Sequence, residues 1–357
     1  MRAVSIPAVG ALLAASFVLS LGLCVVVRRM AGRLRLVDVP NERSLHQVPV
    51  PRLGGVAIVL SVWTVLAIAQ EVLPASMLAR SDTLAWLAGA SVIAVLGFVD
   101  DVRPLPAAPR LVLQLALATL VAAVAFRSDE LSLAAGLRIH VERSWLLPLA
   151  VLFVVGTTNI YNFMDGMDGL AATQTMSAGL ALGVAGAAAG QLDVAFICLA
   201  IAAAAAGFFV HNSPPATIFL GDAGSTFIGF TFSSLALVAA SRPNPVPVGV
   251  VPVALAPFLL DGTFTILRRL TRGERLWQAH RTHLYQRAVA TGLTHRDVLV
   301  VYAAWCAASA AGALLVLRCE GPMTLVVSAA AIVPLVAVWA WTTRLEASAA
   351  GSSSTSH

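Results

Sequence analysis

Long apolar stretches alternate along the chain with short polar segments. A helix that crosses a lipid bilayer needs about 20 consecutive, mostly apolar residues, and eleven stretches meet this requirement. They cover residues 4–27, 53–73, 83–99, 110–126, 144–162, 169–189, 191–210, 217–239, 246–267, 297–317 and 322–343. The pattern predicts an all-α fold, a polytopic integral membrane helix bundle with about eleven transmembrane helices.

The two ends of the chain differ in character. The first stretch is longer than the apolar part of a signal peptide, and an arginine-rich loop follows it where a cleavage site would be expected. We therefore predict an uncleaved first span. The last residues, 346–357, are mostly Ala, Ser and Gly, which predicts a disordered tail. Residues 1–345 are predicted to form a single transmembrane domain.

Eleven spans place the two termini on opposite sides of the membrane. The loops on one side, with the C-terminal tail, contain 16 arginines, and those on the other side contain 7. Positively charged loops stay in the cytoplasm, so the N-terminus is predicted to lie outside and the C-terminus inside. The predicted cytoplasmic loops that form the site are 28–52, 100–110, 162–169 and 268–296.

Composition narrows the class of protein further. The chain is 59% hydrophobic and only 11% charged, whereas a soluble domain has about 25% charged residues. An ordinary soluble enzyme and a disulfide-rich secreted domain are therefore excluded. The net charge of +5 does not indicate a nucleic-acid partner, because the basic residues lie in short loops between apolar stretches. All 23 basic residues are arginine, a side chain that binds phosphate through two parallel hydrogen bonds.

Acidic residues mark the predicted ends of several spans. Those on the arginine-rich side are Asp100, Asp101, Asp165, Asp168, Asp222 and Asp261. Carboxylates at this depth are costly, which makes them functional candidates. If they converge they need a cation, and oxygen ligands without clustered Cys or His favour Mg²⁺ or Mn²⁺ over zinc. An acidic cluster with Mg²⁺ beside arginines is typical of a phosphate or diphosphate site.

Each motif also has a structural explanation when it is taken alone. The pair Asp100-Asp101 could end a helix in solvent, and the acids at 165–168 and 222 could stabilise helix N-termini. His280 and His283 could be ordinary loop histidines. A membrane transporter or cation channel is the alternative from another functional class. It would place polar residues near the middle of several spans, where this sequence has few.

Five motifs, in order, resemble those of the polyprenyl-phosphate N-acetylhexosamine-1-phosphate transferases, which form glycosyltransferase family 4. The resemblance extends from about Asp38 to Arg287 and so covers most of the chain. The matching segments are Asp38–His46 with Pro51–Gly55, Gly97–Asp101, Asn159–Leu170, Phe219–Ser225 and Ala279–Arg287.

The resemblance implies transfer of an N-acetylhexosamine 1-phosphate, from GlcNAc or a related N-acetyl sugar, out of a uridine diphosphate (UDP)-sugar to undecaprenyl phosphate. Uridine monophosphate (UMP) would be released, and a lipid-linked surface polysaccharide would be started. The implied cofactor is Mg²⁺, with Mn²⁺ as the alternative. The enzyme would lie in the bacterial inner membrane among its lipids, with a cytoplasmic active site. A homodimer is compatible with the resemblance.

The resemblance also implies roles at the matching positions. Asp222 and Asn162 would ligate Mg²⁺, and Phe219 would stack on uracil. The implied catalytic residues are Asp100 and Asp101 beside the acceptor phosphate, Asp165 and Asp168 on the nucleotide side, and His280 and His283 at the diphosphate. The implied substrate-binding residues are Asn159, Asn162, Phe219, Arg281, Arg287, Arg43, His46 and Arg52.

The histidine spacing bears on the sugar. Here it is His280-x-x-His283, followed by Tyr285-Gln286-Arg287, whereas the GlcNAc branch usually has His-x-His-His. The form resembles the branch of O-antigen-type lipopolysaccharide synthesis, some of whose members transfer the 6-deoxy sugars FucNAc or QuiNAc. The same chemistry on such a UDP-sugar is therefore the alternative. The muramoyl-pentapeptide branch is less favoured, because its His-His-His signature is absent.

Overall fold

The computed structural model is a helical bundle and describes residues 5–34, 36–39, 48–74, 78–126, 129–134, 137–274 and 281–354. Its helices are α1 Ile6–Arg33, α2 Gly54–Val72, α3 Ser81–Val102, α4 Ala107–Ala125, α5 Arg143–Met164, α6 Leu170–Ala188, α7 Leu192–Asn212, α8 Gly221–Ala240, α9 Val250–Ala254, α10 Ala256–Thr271, α11 Leu284–Ala290, α12 His295–Val316, α13 Pro322–Ala330 and α14 Val333–Ser354. The all-α polytopic fold is confirmed.

Nine helical segments in the described part of the chain are long and apolar enough to cross a membrane. The two other predicted spans take different forms. Segment 169–189 is α6, whose first turns contain the polar residues Thr173, Gln174 and Thr175. Segment 246–267 is divided between α9 and α10, which meet at Leu255 beside Pro257. The count of eleven and the sides of the termini stay predictions.

Residues 346–354 belong to the last helix, since α14 continues to Ser354, and residues 355–357 lie outside the described part. The disordered tail from residue 346 stays a prediction. The Ala-rich sequence favours helix. Glu346 also forms a bidentate ion pair with Arg287, with N–O distances of 2.8 and 2.6 Å, which ties this end of α14 to α11.

Helix α8 is the centre of the bundle. Every residue from Ala223 to Ala240 is buried, and the helix packs against α2, α3, α4 and α5. Small residues permit this close packing, as they do in other membrane bundles. A Cβ atom on Gly55 would lie 2.2 Å from the backbone of Gly224, and one on Gly97 would lie 2.4 Å from the carbonyl oxygen of Asp222. The N-terminal end of α8 is thereby placed directly against α2 and α3.

Two short antiparallel hairpins lie outside the helices: β1 Val37–Asp38 with β2 Val50–Pro51, and β3 Glu130–Ala134 with β4 Leu137–His140. The chain around β2 is bound to the start of α8. Phe219 donates its N–H to the carbonyl of Pro51 at 2.8 Å and accepts the N–H of Gly54 at 2.8 Å. The loop before α2 is therefore fixed beside the residues that precede Asp222.

A buried ion-pair network joins the N-terminal ends of α3 and α7 to the C-terminal end of α8. Arg242 donates to Asp82 at 3.0 Å and to Asp193 at 2.6 Å, and Thr83 donates its hydroxyl to Asp193 at 2.6 Å. All four residues are buried. Every charge in this network has an opposite partner, as buried charges require, so the network accounts for two acids without a catalytic role.

We expect Gly97→Ala to destabilise the bundle, because the added methyl group must push the start of α8 away from α3. Overpacking of this kind costs about 1–3 kcal/mol, and thermal unfolding in detergent measures it. The matched control is Gly156→Ala in α5, where a Cβ would meet nothing within 4 Å. Equal midpoints for the two variants would contradict the tight α3–α8 contact.

Candidate functional site

Asp101 caps the first turn of α8. Its Oδ1 accepts the backbone N–H of Asp222 and its Oδ2 accepts that of Ala223, both at 2.9 Å. Gly221 makes this approach possible: its φ is +75°, and a Cβ there would lie 2.8 Å from the oxygens of Asp101. A carboxylate at a helix N-terminus stabilises the positive end of the helix dipole. Asp101 therefore sets the position of Asp222.

Arg110 lies between two carboxylates. Its Nη1 donates to Oδ2 of Asp100 and lies 3.3 Å from Oδ2 of Asp222. Asp100 also accepts the N–H of Leu105, at 2.6 Å. Arg110 lies at the end of the predicted site loop 100–110 but is not among the predicted site residues. The available signal was an arginine in the first turn of a helix, ten residues after an Asp-Asp pair that ends the previous helix.

Asn162 completes the contacts of Asp222. Its Nδ2 donates to Oδ1 of Asp222 and to Oγ of Ser225, both at 2.9 Å. Asn159, one turn earlier on α5, instead donates to Gln114 of α4 at 2.7 Å and to the carbonyl of Val155 at 2.8 Å. Asn159 therefore holds α5 against α4, next to the site.

Asp165 directly follows α5, where the carboxylates of Asp222 and Asp101 lie close to it. Burial, together with these two negative charges, raises the pKa of Asp165 to about 8. We call the group of Asp100, Asp101, Asp165 and Asp222, with Asn162 and Arg110, the acidic centre. Three separate helix ends supply its four acids, all of which are among the six acids that the sequence places on the arginine-rich side.

Asp168 contacts residues outside the acidic centre. Its Oδ2 accepts the N–H of Ala216 at 3.0 Å and lies 3.2 Å from Nδ1 of His295. It lines a cavity of about 460 Å³, which we call the Phe219 cavity. The lining residues are Val48, Val50, Asp168, Pro214, Pro215, Ala216, Phe219, Thr294, His295 and Arg296. His295 and Arg296, at the start of α12, were missed because no motif marked them.

Phe219 and Arg52 connect this cavity to the acidic centre. Phe219 lies three residues before Asp222, and the backbones of Arg52 and Phe219 form a parallel bridge. The guanidinium of Arg52 donates to the carbonyl oxygen of Asp101 at 2.6 Å. The structure thus brings both of these predicted substrate residues to the boundary between a cavity and the acids.

The predicted basic residues are more dispersed. His283 is buried, with its Nδ1 3.6 Å from Oδ1 of Asp261, and Arg287 pairs with Glu346. Arg281 is exposed just before His283. Three further predicted site residues, Arg43, His46 and His280, lie outside the described residues.

Asp261 does not join the acidic centre. It is completely buried beneath α11 and contacts His283 and Tyr302. The grouping of this acid with the others at one edge of the membrane was based on its position in the sequence. Asp261 belongs to α10, and its side chain contacts residues of α11 and α12 instead.

The acidic centre has the chemistry of an open magnesium site. Within the described ranges, no three His, Cys, Asp or Glu side chains enclose a metal ion. Mg²⁺, however, keeps several waters and usually binds one or two carboxylates together with substrate phosphates. Asp222 and Asn162 are in contact, with Asp100 adjacent through Arg110. One carboxylate and one side-chain amide are ligand types that fit such a site.

Comparisons with known proteins identify the family of this chain. Residues 83–240, which contain the acidic centre, match glycosyl transferase family 4. A probable undecaprenyl-phosphate N-acetylglucosaminyl 1-phosphate transferase of Bacillus subtilis is 32% identical over 280 residues, 78% of this chain and 76% of the relative.

Two more distant relatives have related descriptions. A decaprenyl-phosphate N-acetylglucosaminephosphotransferase of Mycobacterium tuberculosis is 29% identical over 312 residues, 80% of this chain and 77% of the relative. An undecaprenyl-phosphate alpha-N-acetylglucosaminyl 1-phosphate transferase of Yersinia pestis is 28% identical over 302 residues, 80% and 78% of the two chains. The similarity thus extends well beyond the matched family region.

Asp165→Asn tests the electrostatics of the acidic centre. The folded protein raises the pKa of Asp165 to about 8, above its usual value of about 3.9. The ionised acid therefore destabilises the fold, and the penalty grows as pH rises from about 4 to 8. In buffer with a chelator, we expect the variant to unfold at a higher temperature than the parent at pH 8, by a few degrees for each ~1 kcal/mol.

The difference should shrink at pH 5, where Asp165 of the parent is mostly protonated. Glu130→Gln, which removes an exposed acid at the other end of the molecule, serves as the control and should show no such pH dependence. A lower midpoint for Asp165→Asn at pH 8 would contradict the analysis.

Proposed function

Because the chain belongs to glycosyltransferase family 4, we propose that it transfers N-acetylglucosamine 1-phosphate, or the 1-phosphate of a related N-acetyl sugar, from a UDP-sugar to undecaprenyl phosphate. UMP is the second product, and the reaction starts a lipid-linked surface polysaccharide. The names of the relatives support a polyprenyl-phosphate acceptor and an N-acetylglucosamine phosphate group.

The observation that carries the proposal is the convergence of the acidic centre with the Phe219 cavity at the N-terminal end of α8. One substrate of such a transferase is a charged diphosphate, and the other is a phosphate on a membrane lipid. Their reacting groups can meet only where the bundle borders water. The ends of α3, α5 and α8 together supply a charged site of this kind.

We infer that Asp222 and Asn162 hold Mg²⁺, or Mn²⁺ in its place. When bound, the ion neutralises the diphosphate and stabilises the departing UMP. Asp101 contributes by fixing the first turn of α8, so that the Asp222 carboxylate is held in place before substrate arrives. Such preorganisation is the main way in which enzymes stabilise developing charge.

We favour direct attack by the acceptor phosphate over a covalent aspartyl-phosphate intermediate. The second pKa of a phosphate monoester is about 6, so the acceptor is mostly a dianion at neutral pH. One of its oxygens forms the new bond to the sugar-linked phosphorus, while the bond from that phosphorus to the bridging oxygen of UMP breaks. Asp100 is paired with Arg110, and both oxygens of Asp101 accept N–H groups. Their oxygens are therefore already engaged, which disfavours attack by either carboxylate on the donor.

The Phe219 cavity supplies a place for the nucleotide base. The ring of Phe219 is partly exposed there, and Asp168 is held by the N–H of Ala216 and by His295. An aromatic face stacks on a base, and a fixed carboxylate accepts hydrogen bonds from it. We therefore assign uracil to this cavity and the diphosphate to its boundary with the acidic centre.

The site is assigned to the cytoplasmic face of a bacterial inner membrane. Sixteen of the 23 arginines fall on the predicted site side of the chain, and positively charged loops stay in the cytoplasm. Nucleotide sugars are water-soluble and are made in the cytoplasm, so the assigned side is also the side from which the donor arrives.

The proposal is tested with purified protein, radiolabelled UDP-GlcNAc, undecaprenyl phosphate and Mg²⁺, with mass analysis of the lipid product. We expect transfer by the parent and a loss of about 100-fold or more in Asp222→Asn, because one preorganised charge is removed. Glu130→Gln, an exposed acid at the other end, should keep the parental rate. A panel of UDP-N-acetyl sugars, including 6-deoxy sugars, identifies the preferred donor. Absence of transfer with every donor would contradict the proposal.

Phe219→Ala tests the placement of the base. Stacking of a base on an aromatic side chain is worth about 1–3 kcal/mol, so we expect the KM for the donor to rise about tenfold while the KM for the acceptor stays the same. Phe163→Ala, at an exposed position on α5, is the control. An unchanged donor KM in Phe219→Ala would exclude stacking on this ring.

A further inference from the structure

Asp261 is the most deeply buried acid that the proposed reaction does not use. Its side chain is 0% exposed. Oδ2 accepts the hydroxyl of Tyr302 at 2.6 Å, and Oδ1 accepts the backbone N–H of Leu284 at 3.0 Å and the hydroxyl of Thr265 at 3.2 Å. Nδ1 of His283 lies 3.6 Å from Oδ1. This one carboxylate therefore joins α10, α12 and the N-terminal end of α11.

The position of Asp261 determines where α11 begins. Leu284 is the first residue of α11, and His283 is its N-cap. Because Asp261 holds both, the exposed side chain of Arg281 starts from a backbone that is anchored two to three residues later. Any ligand contact made by Arg281 thus depends on how firmly Asp261 holds this anchor.

The same helix also contacts the acidic centre. Tyr285 is buried, and a Cβ on Gly166 would lie 2.3 Å from its hydroxyl oxygen. Gly166 directly follows Asp165, so Tyr285 packs against the backbone of that acid's loop. The ring of His283 stacks on Tyr285, with centroids 5.8 Å apart and planes 12° from parallel. Helix α11 therefore touches the acidic centre on one side and is tied to Asp261 on the other.

Helix α10 makes a second connection to the site. A Cβ on Gly262 would lie 2.5 Å from Cγ2 of Ile160, so the turn that contains Asp261 packs closely on α5. Ile160 lies between Asn159 and Asn162 on that helix. Asp261 is consequently fixed with respect to Asn162 as well as with respect to α11.

We propose that Asp261 is a positioning residue for the transfer reaction, and that Tyr302 assists it. By holding the start of α11 against α10 and α12, Asp261 sets the distance between the Arg281–His283 segment and the acidic centre, across which the donor diphosphate binds. This inference rests on the proposed function. A buried carboxylate is costly, and apolar groups often stabilise a fold as well, whereas the directional hydrogen bonds of Asp261 fix the geometry of three elements.

The test compares Asp261→Asn and Tyr302→Phe with the parent, as full-length protein in detergent with Mg²⁺, UDP-GlcNAc and undecaprenyl phosphate. Asp261→Asn removes the charge facing His283 and one acceptor oxygen, and Tyr302→Phe removes only one donor. We expect the KM for UDP-GlcNAc to rise at least fivefold in Asp261→Asn and about twofold in Tyr302→Phe. The KM for undecaprenyl phosphate should change by less than twofold in both.

The matched control is Asp193→Asn. Asp193 is also a buried acid with a threonine hydroxyl donor, but it lies in the Arg242 network at the opposite end of the bundle. We expect this variant to lower the unfolding temperature without raising the KM for UDP-GlcNAc. A merely structural role for Asp261 would make the two variants behave alike.

A double-mutant cycle shows whether Asp261 acts through the loop. We expect Arg281→Ala to raise the donor KM in the parent and to raise it by less than half that factor in Asp261→Asn. Additive effects, or equal changes of donor and acceptor KM, would overturn the inference even when the parent is active. A parent without transfer would contradict the proposed function and the inference together. If Asp261→Asn does not fold, the inference is tested by the donor KM of Tyr302→Phe and by a double-mutant cycle of Tyr302→Phe with Arg281→Ala.

Discussion

The carboxylate of Asp101 accepts the first free N–H groups of α8, and the rest of the site is arranged around this contact. A helix start buried in an apolar bundle needs acceptors for its unpaired N–H groups. Asp101 provides them from the end of α3, while Gly97 and Gly221 permit the two backbones to approach. The same contact places Asp222 opposite Asn162 and Arg110. The hydrogen bonds that satisfy these backbone N–H groups thus also fix the geometry of the acidic centre.

The acidic centre contains more negative charge than its arginines compensate. Four carboxylates lie together, and Arg110 contacts two of them, whereas Arg52 donates to the backbone carbonyl of Asp101. The raised pKa of Asp165 is the measurable consequence of burial and of these neighbouring charges. A bound proton, a cation or a ligand relieves repulsion of this kind. Repulsion among the carboxylates raises the free energy of the protein without a ligand, and it therefore favours binding of a cation.

Buried acids serve three distinct purposes in this bundle, and their neighbours separate them. Asp82 and Asp193 are paired with Arg242, which makes them structural. Asp261 is surrounded by hydroxyl and N–H donors from several elements, which fixes the relative position of those elements. The acids of the acidic centre instead lie close to one another, and a single arginine, Arg110, contacts two of them. Similar residues at similar depths therefore differ in role according to whether their partners are positive, neutral or negative.

The sequence by itself determined the helical membrane fold and placed the four acids of the acidic centre at helix ends, because long apolar stretches and acids at their ends follow from the cost of charge in lipid. It did not reveal Arg110 between two acids, Arg287 on Glu346, or His295 on Asp168. Each of these pairs joins residues from distant parts of the chain or from different helices, and no local pattern encodes such a contact. Which helix ends meet, and hence which partner each charge receives, was decided only by the packing around α8.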